Sequence, residues 1–206
     1  MESPSVPGEI TDKRLIRGAR TRQLVLARAV DIASLENLEA LSFGHLAADV
    51  GLSKAGIQTL FRTKEQLQLA TVDHARDRFI AEVSQPARTK PHGVQRLREL
   101  IDRWIVYATT PVFEGGCFQA ANLSEFDSRP GPIRDALVRN QQQWVDLLAY
   151  ELGRAVEAGE IAPLDTDLAA FQIAAVLLSV NTALRLGDTT AADKIHRIVD
   201  GLLVRR

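Results

Sequence analysis

Ala47, Gly51 and Ile57 stand at offsets that few architectures accommodate. Two helices crossing steeply through a tight turn need a small residue where their backbones approach. They also need a turn residue that tolerates positive φ, and an apolar anchor beneath the second helix. The three residues meet these needs in that order. The flanking residues fit the same scheme, since Ser42 is placed to cap a short helix running to about Val50 and Ser53 a second from Lys54 to about Phe61. Thr63-Lys64-Glu65-Gln66 has the spacing of a capping box and opens a long helix toward Pro86.

Helical periodicity continues on both sides. From Arg20, apolar residues at Val25, Leu26, Ala29, Val30 and Ala33 predict an amphipathic helix that Asn37 can end in the left-handed conformation. Residues 1–12, with Pro4, Pro7 and Gly8, predict a disordered tail. Gln85 to Gly93 reads as a break, followed by a helix from Val94 to Thr109 with Leu97, Leu100, Ile101, Trp104 and Ile105 inward. A short helix over Gln119–Phe126, a turn at Ser128–Gly131 and a long helix to Ala158 follow, the last with Leu137, Val145, Leu148 and Leu152 as core positions. Asp165 caps a helix through about Leu186, and a final helix spans Thr190 to Val204. With no β pattern and no internal repeat, the predicted fold is all-α with about nine helices.

The 206 residues are 46% hydrophobic and 25% charged, the mixture of a folded chain. No apolar run approaches the roughly 20 residues that span a bilayer, and the N-terminus lacks the apolar core of a signal peptide, so a cytoplasmic protein is expected. Cys117 is the single cysteine, which rules out an intrachain disulfide and a zinc site built on paired cysteines. Its place between Gly116 and Phe118 favours a small buried apolar residue over a redox sensor. His45, His74, His92 and His196 are scattered without metal-ligand spacing, so neither metal nor cofactor is expected. The net charge is only −1, yet Lys13, Arg14, Arg17, Arg20, Arg22 and Arg28 follow one another with no acidic residue between Lys13 and Arg28. Such a run is either a solvated helix face or an electropositive arm for phosphates.

The stretch Leu46-Ala47-Ala48-Asp49-Val50-Gly51-Leu52-Ser53-Lys54-Ala55-Gly56-Ile57, with Phe61 and Lys64-Glu65-Gln66-Leu67, closely resembles the DNA-binding domain of TetR-family transcriptional regulators. The likeness is strong over residues 20–70 and persists more weakly from Gly116-Cys117 to Gly159-Glu160. It implies a tail over 1–12, a helix-turn-helix domain over 13–68, and a ligand-sensing and dimerisation domain over 69–206. It further implies that the helix from Lys54 enters the major groove while its neighbours hold the backbone. Lys54, Ala55, Gln58 and Thr59 are the candidates for base edges, with Gln58 equally able to reach a phosphate. Ser42, Ser53 and Lys64 are expected at phosphates, and Arg20 and Arg22 at the adjacent backbone or minor groove. The chain departs from the family pattern in carrying Gln58 where tyrosine is common, Leu60 where histidine is common, and Gly44 where a longer polar residue is frequent. Operator identity therefore does not transfer.

The second half is expected to hold a small-molecule pocket. Trp104, Tyr107, Phe113, Phe118, Phe126 and Trp144 are its aromatic candidates, beside Cys117 and Asn122, with Arg103 and Gln143 as further polar anchors. Each aromatic can equally be plain core. The last two helices are apolar on more than one side, and the resemblance implies that they pair with their copies through Phe171, Ala174, Ala175, Leu178, Ile195, Ile198 and Leu202. The expected partners are thus double-stranded operator DNA, a small-molecule effector and a second copy of the chain. An enzyme acting on the pocket ligand would need a nucleophile with its base, a metal cluster or a phosphate loop, and the sequence presents none. A third reading is a helical interaction module whose helix-turn-helix has lost DNA.

Overall fold

The computed structural model describes residues 7–110 and 112–204, with side chains from Leu15 onward. Every element among them is helical. These are α1 (Pro7–Glu36), α2 (Phe43–Val50), α3 (Lys54–Phe61), α4 (Lys64–Phe79), α5 (Gln85–Ala87), α6 (Val94–Thr109), α7 (Phe118–Phe126), α8 (Pro132–Glu157), α9 (Thr166–Arg185) and α10 (Ala191–Leu202). A 3-10 turn covers Leu38–Ala40, and a π-helical turn, Ile80–Ser84, joins α4 to α5 without a gap. Counted as rods, the described helices number nine.

Local chemistry sets most of the boundaries. Asn37 ends α1 at φ 74°, and its side chain accepts from the Glu39 N–H at 2.9 Å. Ser42, Ser53, Thr63 and Asp165 each cap the helix that follows, accepting from the N–H three residues on at 3.0–3.1 Å. Gly51 turns between α2 and α3 at φ 67°. Helix α1 reaches back to Pro7, so it takes in the latter half of the expected tail, while residues 1–6 and the side chains of Lys13 and Arg14 lie outside the described residues.

The expected break at Gln85–Gly93 is a second correction: helix continues through Pro86 to Ala87, and the chain turns only over 88–93. Proline is tolerated there because it follows a π turn, whose hydrogen-bond register has already left the i→i−4 ladder.

One apolar core runs through the chain. Val25, Leu26, Ala29 and Val30 of α1 close over Leu46, Ile57, Phe61 and Leu67, and further along Leu97, Leu100, Ile101, Leu148 and Leu152 tie α6 to α8. Ile105 and Val145, expected inward, are only partly buried against this core. Helix α4 crosses the anticipated domain boundary at 68–69 unbroken, packing on α1 and α8. Helix α9 lies between α8 and α10. By length and composition α9 is apolar enough to cross a membrane, correcting the expectation that no segment would be. Its composition has a second source in the packing, since Ile173, Leu177 and Val180 are buried on one side while Leu168 and Phe171 stay exposed on another.

Candidate nucleic-acid interface and cavity

Helix α3 stands on Ile57 and Phe61, both buried, which turns the opposite side outward. Lys54, Ala55, Gln58 and Thr59 are all exposed there. The Thr59 hydroxyl donates to the Ala55 carbonyl at 2.8 Å, which leaves Lys54 and Gln58 as the longer groups free to reach outward. The first turns of α2 and α3 contain no acidic residue. Beside them Arg17, Arg20 and Arg22 are exposed on α1, and the Arg22 guanidinium sits 5.1 Å above the Phe61 ring, fixing the arm to the base of α3. Arg62, which sequence reasoning passed over, closes α3 at φ 59°, exposed and without an ion pair among the described residues. Its signal was a cation placed between two capped helices.

Two expected cations are engaged within the protein. Lys64 donates to the Glu39 carbonyl at 2.7 Å and lies 3.1 Å from its carboxylate, and this bond holds the Glu39 carboxyl below its usual range. Arg28, counted in the basic run, donates to Asp49 at 2.8 Å and to Glu114 at 3.0 Å. It joins α1 to α2 and to the loop before α7. That loop is anchored repeatedly: the Gly115 N–H donates to Ser34 at 2.8 Å, Arg185 donates to the Glu114 carbonyl at 3.2 Å, and the Cys117 N–H donates to Asn181 at 3.1 Å.

Behind this loop lies a cavity of about 310 Å³. Of the pocket candidates, Trp104 and Tyr107 of α6, Cys117 and Phe118 at the start of α7, and Trp144 of α8 line it, with Gln143 at its edge. The opposite wall was not foreseen. It is built by Ala75, Arg76 and Phe79 of α4, by Ile80 and Ser84 of the π turn, and by Arg88. Phe79 meets Tyr107 and Trp144 edge to face, with centroids 5.3 and 5.2 Å apart. The four-residue step from Arg76 through Ile80 and Ser84 to Arg88 was the available sequence signal, hidden because Pro86 reads as a helix end.

Four pocket candidates lie elsewhere. Asn122 is fully buried, donating to Ala33 and Phe118 carbonyls and accepting from the Leu38 N–H at 2.7 Å, so it fastens α7 to α1. Phe113 and Phe126 are core, outside the cavity lining. Arg103 is exposed and paired with Glu99 at 2.7 Å. Burial raises the pKa of the Cys117 thiol, and burial likewise holds the Tyr107 hydroxyl well above its ordinary value. Among the described residues no group of three or more His, Cys, Asp or Glu is placed to hold a metal.

Of the candidate interface residues, Phe171, Ala175 and Ile198 are exposed, and Leu178 and Leu202 are partly so. Ala174 and Ile195 are not available to a partner, because both are buried inside the protomer, Ala174 against the cavity.

A capped helix-turn-helix joined by one continuous helix to a sensor-like cavity defines the class of one-component regulators. The family model described as the tetracyclin repressor-like C-terminal domain matches residues 93–199. The chain belongs to the TetR family of transcriptional regulators. Among solved structures it is similar to a TetR transcriptional regulator from Chloroflexus aurantiacus, at 26% identity over 88% of this chain and 92% of that one, with a TM-score of 0.77. It also shares its fold with AibR, solved in complex with isovaleryl coenzyme A and operator DNA (22% identity, 88% and 97% coverage, TM-score 0.72). A third likeness is to a TetR regulator from Legionella pneumophila (20%, 87% and 95%, TM-score 0.73). No curated relative matches the chain.

Proposed function

We propose that the protein is a homodimeric repressor that holds a palindromic operator through α3 and leaves it when a small molecule occupies the cavity. The observation that carries the reading is the outward face of α3, where Lys54, Ala55, Gln58 and Thr59 project from a helix braced on buried Ile57 and Phe61. In the major groove these four residues meet base edges. Phosphates are held by the N-termini that Ser42 and Ser53 cap, by Lys64, and by Arg20, Arg22 and Arg62.

The dimer forms through the exposed face of α9 and α10, with Phe171, Ala175, Leu178, Ile198 and Leu202 as its apolar contacts. It sets two copies of α3 about one turn of DNA apart. Control follows from α4, whose 16 residues link Lys64 at the DNA side to Phe79 at the cavity, roughly 22 Å along one rod. A ligand that prefers one tilt of α4 shifts the dimer away from its DNA-binding spacing. Acting on operator DNA, the protein works in the cytoplasm, and its pocket binds rather than transforms its ligand.

Fluorescence anisotropy on a labelled mixed-sequence duplex tests the interface. Affinity is expected to fall linearly with salt on logarithmic axes, and Lys54→Glu to abolish binding at salt concentrations where the wild type still binds. Binding that ignores both salt and the Lys54 charge would contradict the proposal.

A further inference from the structure

The lining of the cavity is polarised. Its inner end is aromatic and buried, formed by Trp104, Tyr107 and Phe118, whereas its outer edge carries Arg88 beside amide side chains. No carboxylate lines it, while two arginines do. Arg76 shares its charge with Asp77 at 2.8 Å and Asp73 at 3.4 Å. Arg88 has no ion pair among the described residues, and it also faces a smaller adjoining cavity that shares Ser84 and Leu147 with the first. The one acid in that second space, Glu151, is fully buried and already engaged. It accepts from the Gly93 N–H at 3.0 Å, lies 2.9 Å from His92 Nδ1, and faces Arg96 at 3.7 Å.

An aromatic chamber alone would suit an uncharged molecule or, through ring faces, a quaternary ammonium. A cation is disfavoured here, because it would meet two guanidinium groups and no free carboxylate. A neutral ligand would gain nothing from the unpaired Arg88 guanidinium at the exposed edge of the cavity. A guanidinium matches a carboxylate through two parallel N–H donors.

We infer that the cavity takes an amphipathic carboxylate, its apolar or aromatic body against Trp104 and Phe118 and its anionic group on Arg88. This rests on the reading of the cavity as the sensor site and adds the chemical class of its ligand. The π turn contributes by presenting Ile80 and Ser84 to the same space, so that the body of the ligand presses on the helix that leads to the DNA side.

Trp104 and Trp144 are the only tryptophans in the chain and both line the cavity, so intrinsic fluorescence reports its occupancy. The full-length protein is titrated with decanoate, decanol and decyltrimethylammonium, which share one apolar chain and differ in head-group charge. Decanoate is expected to bind about tenfold more tightly than decanol, as a charge-assisted hydrogen bond supplies. Arg88→Gln should bring the two within about twofold, and Arg88→Lys, which keeps the charge but not the paired donors, should keep an intermediate preference. Arg88 is exposed, so both variants are expected to retain wild-type circular dichroism. Equal or tighter binding of decanol or the ammonium, or a preference that survives Arg88→Gln, overturns the carboxylate assignment and leaves the sensor reading standing. A fluorescence signal unmoved by all three compounds overturns both.

Discussion

Gly115 lies against the backbone of Ser34, donating its N–H to the Ser34 hydroxyl at 2.8 Å, and a Cβ at this position would overlap the Ser34 carbonyl. The contact clamps the loop that carries Cys117 into the cavity onto α1, the helix that also bears the basic arm. Gly115→Ala must push the two apart. Overpacking of this kind costs about 1–3 kcal/mol, so scanning calorimetry should record a melting temperature several degrees lower. An unchanged melting temperature would mean that the loop yields freely and that this clamp is not rigid.

Arg28 and Arg20 occupy one basic run yet should behave differently. Arg28 is held by Asp49 and Glu114, whereas Arg20 is exposed with no ion pair among the described residues. Arg20→Gln is expected to lower the slope of log affinity against log salt by about one unit, as loss of a phosphate contact does. Arg28→Gln should leave that slope unchanged while altering affinity through the position of α2. Equal slopes in the two variants would remove the distinction.

Under the proposed interface, Glu39 would compete with DNA for Lys64, to which it is bonded. Glu39→Gln should raise affinity for all sequences severalfold, whereas Lys64→Ala should weaken it uniformly. The bond to Lys64 holds the Glu39 carboxyl below its ordinary value, so the pair contributes stability above the unfolded-state pKa of 4.5 and loses it as pH falls through the lower folded value. NMR titration of the Glu39 carboxyl is expected to show an apparent pKa below 4.5 that rises toward the ordinary value in Lys64→Ala. A pKa indifferent to that substitution would break the link.

Cys117 should resist alkylation. Burial raises its pKa, which outweighs the Ala120 and Gln119 N–H groups that favour the thiolate. Native protein treated with iodoacetamide at neutral pH is expected to remain unmodified long after the denatured chain has fully reacted. Rapid labelling of the native state would reopen a redox role for this residue.

Substitutions at Phe171 and Ile195 should separate assembly from folding. Phe171 is 64% exposed on α9, so Phe171→Asp should yield a folded monomer in sedimentation experiments with much weaker operator binding. Ile195 is fully buried, and Ile195→Ala should instead cost about 2–5 kcal/mol of stability with the oligomeric state retained. A Phe171→Asp variant that stays dimeric would move the interface elsewhere.

What the sequence disclosed followed the range of the interaction. Ser42, Ser53, Thr63 and Asp165 were legible as caps because a cap is satisfied within three residues. Gly51 and Asn37 were legible because only certain residues tolerate their backbone angles. The wall formed by Phe79, Ile80 and Arg88 was not, since a π turn carries no local signature and Pro86 falsely marked an end. Aromatic count alone placed Phe113 and Phe126 in the pocket, although which side of a helix faces a cavity depends on partners distant in sequence. The place of Arg28, counted in the basic run but bridging Asp49 and Glu114, has the same origin, because Glu114 lies 86 positions away.

The most direct test of a dimeric operator-binding regulator is selection of bound sequences from a random DNA library by the purified protein, followed by titration of the winner at several salt concentrations. The expected result is a palindrome with half-sites about one helical turn apart, bound with salt-dependent affinity. Failure to enrich any sequence at low salt would contradict operator recognition by α3 and favour a helical interaction module in its place.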